Sequence, residues 1–334
     1  MPDDGRTQFH AERLQGLGGS DLAVILGLNP WKTPFSLWQE KTQRLEPIDE
    51  TLPMKFGSYV EEFVAREYAE RTGQRVQRFN AMLSHPKAPL IGHVDRLVIP
   101  DGQKVASYKR EIRTDKGLEC KTASAFAAGR DSEWGPSGTD QVLPHYLIQS
   151  SAYMALTGCA HWDLAVLIGN HDFRIYHLHR DPELESYLLE EADRWWQAHV
   201  VADTPPDPQS ELEARQRWPR HQAGKVLTAT AEIGLQLRQL AQLRADIRAL
   251  EAREKAVKDT LYPALADAEV IIYGGEEAAT YRANKDSQKV DYQGVAVELM
   301  TGMDPADQAR VLAAYTRTVP GARVLRLAKS LEAA

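Results

Sequence analysis

The chain has 334 residues, 43% apolar and 26% charged, with a formal net charge of −7. That length fits one large domain or two modest ones, and the acidic balance excludes a protein that coats nucleic acid by net charge alone. No apolar run approaches the ~18 residues of a membrane span, the polar start MPDDGRTQFHAERLQ is unlike a signal peptide, and Cys120 and Cys159 are too few for a disulfide framework or a four-ligand zinc site, so a reducing cytoplasm fits best.

In chain order, residues 20–27 (SDLAVILG) read as a short helix opened by a Ser or Asp cap. Asn29-Pro30 marks a turn, and Thr33-Pro34 starts a second helix with proline in its first position. Residues 56–72 carry apolar side chains at helical spacing, and Gly73 closes that helix. Three strands are expected next, at 90–99, 105–112 and 117–122. A helix over 144–157 ends at Gly158. Strands over 162–168 and 173–179 flank a turn, and an amphipathic helix covers 182–201. This order predicts an α/β core, a central mixed sheet flanked by helices, over residues 1–202.

Three prolines in DTPPDPQS begin a linker spanning 203–225. Residues 226–334 then form a mainly helical appendage. Its first part, 226–262, has Ile233, Leu240, Leu243, Ile247, Leu250, Val257 and Leu261 at alternating three- and four-residue steps, with Glu254 at one core position. Such a coiled-coil-like helix packs either on its own domain or on an oligomer or partner helix. A short strand region (270–282) and a helical C-terminus (304–332) complete the chain.

The chemistry concentrates on Asp95 and on Glu119-Cys120-Lys121. Glu119 and Lys121 lie two apart in a strand and share a face. Carboxylates beside apolar strand residues are costly unless compensated, and a hard divalent cation would compensate them. Lys121 on the same face is placed to contact an attacking water or a scissile phosphate. The locally basic stretch Lys104 to Lys121 offers a path for phosphates, although a solvated strand pair looks similar. Cys120 should point the other way and fill core space. His145, His161, His171, His177 and His179 are scattered. His177 and His179 share a strand face without an evident third ligand. No phosphate-binding glycine loop is present, so ATP is not expected.

The D…ExK pattern resembles that of the PD-(D/E)xK nucleases. Four segments in order make the likeness more specific: Gly18-Gly19-Ser20-Asp21 with AVILGLNPWKTPFSLWQEK, the helix FGSYVEEFVAREY, GHVD…GLECKT, and Gln149-Ser-Ser-Ala-Tyr153-Met-Ala-Leu-Thr-Gly. Together these resemble the YqaJ-type viral recombinases, a lambda-exonuclease-like family.

What the resemblance implies is a restriction-endonuclease-like core and a Mg-dependent DNA exonuclease, with Mn able to substitute and a two-metal site. Asp95, Glu119, the Cys120 carbonyl and Glu61 would bind metal. Lys121 would be the catalytic lysine and Gln149 the helix glutamine lining the site. Arg13 and Ser20 resemble the pair that holds a terminal 5′-phosphate, although Ser20 also suits a helix cap. The sequence departs from the family pattern at Val94 (proline is common there), at His85 (an acidic residue), and at His93 (a serine near the phosphate). The second phosphate-pocket arginine has no clear match, Arg130 being the nearest. Further implied are resection of linear duplex DNA from 5′ ends to leave 3′ overhangs, a ring-shaped homo-oligomer (trimer or tetramer) and a single-strand annealing partner. An endonuclease or repair nuclease on the same core, and a non-catalytic recombination scaffold, are the alternatives.

Overall fold

The structure is a computed structural model that describes residues 11–45, 51–124, 134–319 and 321–328. It divides into two compact units, Met1–Arg217 and Trp218–Ala334.

In the first unit, helix α1 (Gly19–Ile25) is capped by Gly18, not by Ser20 or Asp21. The Asp21 carboxylate instead reaches back to accept from the Gly18 amide at 2.9 Å, as an acidic side chain in a first turn does. Helix α2 (Pro34–Lys41) starts from Thr33, whose hydroxyl accepts from the Ser36 amide. Helix α3 (Leu52–Thr72) begins a turn earlier than the apolar spacing predicts and ends at Gly73, whose φ of +71° is a left-handed C-cap.

The expected strand over 90–99 is broken. Short β1 (Val76–Arg78), β2 (Leu83–Ser84) and β3 (Ile91–Gly92) precede β4 (Arg96–Val98), and Asp95 stands in the break before β4. The alternating stretch 105–112 gives only the hairpin β5 (Ser107–Tyr108) and β6 (Glu111–Ile112), turned through Lys109 and Arg110, both at positive φ. Strand β7 (Lys116–Ala123), helix α4 (Pro144–Thr157), strands β8 (His161–Ile168) and β9 (Asp172–His179) and helix α5 (Pro182–Trp195) follow closely where expected. Helix α5 runs into a π-helical turn, Trp196–Val201.

The sheet order is β1-β4-β7-β8-β9. Only β7 and β8 are parallel, joined through α4 as crossover helix. The sheet is thus mixed, with helices on both faces. On one face α3 buries Val64, Ala65 and Tyr68 against Leu118, Cys120 and Ala165. On the other, α4 packs Tyr153 and Met154 near Trp162 and Leu97. Cys120 is buried in the α3 layer, on the opposite side from Glu119. Beyond α4 lies a helical layer in which Leu22 and Val24 of α1, Phe35 and Trp38 of α2, and Leu188, Ala192 and Trp195 of α5 share one core.

Within the stretch expected to be linker, residues Glu211–Arg217 form a helix, α6. It is tied to the first unit: Glu213 is buried, accepts from the Thr33 hydroxyl, and accepts from the Gln209 amide at 2.8 Å. A proline run forbids helix only across the prolines, and three residues later a helix can begin.

The second unit contains the long helix α7 (Ala231–Leu265), capped by Thr230, which carries Pro263 near its end. A hairpin of β10 (Val270–Tyr273) and β11 (Glu276–Thr280) turns at Gly274-Gly275, both at positive φ. Helix α8 (Tyr292–Met300) was not signalled by the sequence pattern. The helical C-terminus reduces to α9 (Pro305–Tyr315); residues 316–319 and 321–328 have no regular structure.

Candidate active site

Strands β4 and β7 pair only through Arg96–Leu118 and Leu97–Gly117. Past Leu118 the two strands separate, and the Cys120 amide loses its ladder partner. The Asp95 carboxylate takes that place: Cys120 N donates to Oδ2 at 2.8 Å. Placing Asp95 in a break, rather than within a strand, is what lets its side chain lie beside β7. A buried amide needs such an acceptor.

Glu119 is 2% exposed and points toward α4. Its Oε1 accepts from Gln149 Nε2 at 2.7 Å and lies 2.6 Å from Lys121 Nζ. Its Oε2 is buried with no hydrogen-bond partner. Gln149 also donates to the Tyr153 hydroxyl at 3.0 Å. Residues 146, 149 and 153 share one face of α4, and the Tyr146 ring lies 5.5 Å from Lys121 Nζ. Gly19 brings α1 close to this helix: a Cβ there would sit 3.1 Å from the Gln149 carbonyl and 3.1 Å from the Tyr153 ring.

The electrostatics follow from burial of like charges. Burial, and then the neighbouring Asp95 charge, push the Glu119 carboxyl up to about 8. Burial also raises Asp95, with Glu61 adding to the rise and Lys121 opposing it. Burial alone would lower Lys121, but the Glu119 and Asp95 carboxylates outweigh it and hold the ammonium well above its ordinary range. Lys121 is therefore a fixed cation. Two carboxylates with raised proton affinity and a buried oxygen without a partner are what a hard divalent cation would satisfy. The donor chemistry of Asp95 and Glu119 fits such an ion.

Glu61 is placed differently. Arg96 precedes the separation of the strands and points to the α3 face, where its guanidinium meets Glu61 at 2.6 Å and Glu62 at 2.9 Å. Arg78 adds a 3.3 Å contact to Glu61. Among the described residues no group of three or more His, Cys, Asp and Glu side chains is arranged to hold a metal ion.

The residues expected at a phosphate pocket lie among charged neighbours. Arg13 lies 3.7 Å from both Asp21 and Glu40. Ser20 is exposed in the first turn of α1. His93 Nε2 is 3.3 Å from Glu12. Arg130 lies outside the described residues.

Two clusters were missed from sequence. Asp21, 1% exposed, forms a 2.7 Å ion pair with buried Lys41, which also donates to the Arg13 carbonyl at 2.7 Å. Although burial opposes it, the surrounding charges of Lys41, Lys32 and Arg13 hold the Asp21 carboxyl down at about 2. On the α3 face of the sheet, buried Asp163 accepts from the Tyr68 hydroxyl at 2.6 Å and contacts Lys116 at 2.7 Å and His177 at 2.8 Å. His177 is thus a partner of Asp163. His161 and His179 pair across β8 and β9 with their Nδ1 atoms 3.1 Å apart. For Asp21 a signal existed: an acid in the Gly-Gly-Ser-Asp run at a helix start. Asp163 sits in WDLAVLI, where an acid inside an apolar strand implies a buried partner.

A mixed sheet with helices on both faces, carrying paired carboxylates and a lysine where two strands part, places the chain among α/β proteins with a D…ExK site. Residues 8–160 match the YqaJ-like viral recombinase domain. The chain is 31% identical over 283 residues to the uncharacterized protein YqaJ of Bacillus subtilis (strain 168), covering 82% of each. It belongs to the YqaJ-like viral recombinase family. Among solved structures it is similar to an alkaline exonuclease, LHK-Exo, from Laribacter hongkongensis (19% identity, TM-score 0.43, covering 59% of this chain and 93% of that one). A phage-related exonuclease from Haemophilus somnus 129PT is also similar (11% identity, TM-score 0.39, 59% and 100% covered).

Proposed function

We propose that this protein is a divalent-metal-dependent deoxyribonuclease that digests linear duplex DNA from its 5′ ends and leaves 3′ overhangs for recombination. The observation that carries the reading is Glu119: a buried carboxylate held by Gln149 and Lys121, facing Asp95, with one oxygen left without a partner. Family membership and the exonuclease names of its structural relatives agree with this.

Asp95, Glu119 and the Cys120 carbonyl would hold Mg, with Mn as a substitute, and Glu61 would join a second ion on release from Arg96. A bound divalent ion supplies Lewis-acid polarisation of the scissile phosphate and a more acidic attacking water. Lys121, fixed as a cation, orients that water and offsets the charge that develops on the phosphate. Gln149 keeps Glu119 in one rotamer by donating to Oε1 while itself anchored at Tyr153. Arg13 and Ser20 would receive a terminal phosphate at the start of α1, with His93 nearby.

The partners in this reading are DNA ends, other copies of the chain in a ring, and a single-strand annealing protein, in the cytoplasm of a bacterial or phage-infected cell. No helix among the described residues is long and apolar enough to cross a membrane.

The test is digestion of end-labelled linear duplex and closed circular DNA with magnesium or EDTA, by wild type and Lys121→Ala. Loss of linear DNA from 5′ ends, with circles intact and activity abolished by EDTA and by the substitution, is expected. Cut circles would make the enzyme an endonuclease on the same core. No cleavage with any divalent metal would leave a non-catalytic scaffold.

A further inference from the structure

Helix α7 leaves an apolar stripe in solvent. Leu243, Ile247, Leu250 and Val257 are 50%, 53%, 59% and 61% exposed, and Leu261 is 45% exposed. Their steps of three and four put them on one seam, with Leu240, Ile247, Glu254 and Leu261 at the first core position of each heptad and Leu243, Leu250 and Val257 at the second. A stripe of this length that stays exposed needs an occupant.

The flanking charges select it. Beside the seam lie Asp246 and Arg253 on one edge, and Arg244, Glu251 and Lys258 on the other. In a parallel, in-register pair, opposite edges meet: Asp246 faces Glu251 and Arg253 faces Lys258, so each close charge pair is repulsive. In an antiparallel pair like edges meet. With Ile247 opposite Leu250 of a second copy, Asp246 faces Arg253 and Arg244 faces Glu251. The twofold repeats both, giving four attractive contacts. Sliding by one heptad in either direction sets Glu251 against Glu251 or Asp246 against Asp246. One orientation and one register are therefore favoured. The single polar core residue is already compensated, since Glu254 pairs with Lys258 of its own helix at 2.5 Å. A contact with this symmetry is self-complementary and closes at two copies.

We propose that residues 240–257 of α7 form an antiparallel two-stranded coiled coil with the same segment of a second copy, about a twofold axis between Ile247 and Leu250. This contact is independent of the nuclease reading and survives its failure.

The test is sedimentation velocity of the full chain at low salt, with circular dichroism to verify helix content. Ile247→Asp with Leu250→Asp alters only side chains exposed in the protomer, and should halve the association state. Arg244→Glu with Arg253→Glu should weaken association ~tenfold or more, and adding Asp246→Arg with Glu251→Arg should restore it to within ~threefold, because reversing every charge regenerates the pairs. Arg253→Glu alone reads the orientation: it weakens the antiparallel pair and tightens a parallel one by relieving Arg253 against Lys258. An unchanged mass in the double aspartate variant, a tighter Arg253→Glu variant, or a fourfold reversal that stays apart would overturn the proposal.

Discussion

Gln149 donates to one carboxylate oxygen of Glu119 at 2.7 Å, and the other oxygen is buried without a partner. The carboxylate is fixed in place yet incompletely satisfied. Glu119→Gln should therefore stabilise the metal-free protein at neutral pH by ~1–3 kcal/mol, since the amide folds without the proton uptake that the raised carboxyl requires. The sign follows from the raised carboxyl at about 8. A folded-state value above the unfolded one favours folding at low pH, and that advantage is lost as pH rises through it. The gain over wild type should thus grow between pH 5 and pH 8. Thermal melts in EDTA test this. Magnesium should raise the wild-type melting temperature and leave the variant unmoved. Equal responses in both would remove Glu119 from the metal site.

Lys121 is held protonated by two carboxylates. Its substitution by Met should lower the nuclease rate by ~10²–10⁴-fold, the range for a lost electrostatic or proton-transfer group. Because the ammonium stays charged, no fall in wild-type rate should arise from Lys121 between pH 7 and pH 10. Initial rates across that range, with fixed magnesium, check both points.

Arg96 binds Glu61 and Glu62 from a 3% exposed position. Replacing it with Met leaves Glu61 beside Asp95 with only Arg78 for a partner. A loss of ~2–4 kcal/mol in urea unfolding is expected, as for other broken part-buried pairs. Arg96→Lys should recover less than half, since a single ammonium cannot reproduce the fork between two glutamates.

The ion pair of Asp21 with Lys41 predicts acid sensitivity. The Asp21 carboxyl is depressed to about 2, so its contribution is complete above the ordinary carboxylate value and disappears as pH falls through about 2. Asp21→Asn should cost ~3–5 kcal/mol at pH 6 by stranding a buried lysine. The difference from wild type should shrink toward pH 2. Denaturant titrations at pH 6 and pH 2.5 measure it, and a constant difference would refute the assignment.

Much of the site is legible along the chain. Glu119 and Lys121 share a face because strand side chains alternate, and Gln149 faces them because α4 repeats every three or four residues. Asp95 is legible as an acid among branched apolar residues, but its bond to the Cys120 amide is not, since that depends on where β4 and β7 part. Glu61 was legible as an acidic helix residue before the strands. Its capture by Arg96 was not, because residues 35 apart meet only when α3 crosses β4. Arg13 and Ser20 resemble a phosphate pair by spacing, and that Arg13 lies 3.7 Å from Asp21, next to Ser20, and 3.7 Å from Glu40 is visible only in the folded chain.

By itself the sequence determined the elements with strong periodicity or punctuation: α3 closed by Gly73, β7, α4 closed by Gly158, the β8–β9 hairpin and the heptads of α7. Local backbone preference and the alternation of apolar side chains suffice for these. The tertiary structure alone decided the break that frees Asp95, the short β5–β6 hairpin, the docking of α6 through Glu213, and the ion pairs of Asp21 and Asp163. Each depends on desolvation of a polar group by residues distant in sequence, and burial is a property of the folded chain that no local window contains.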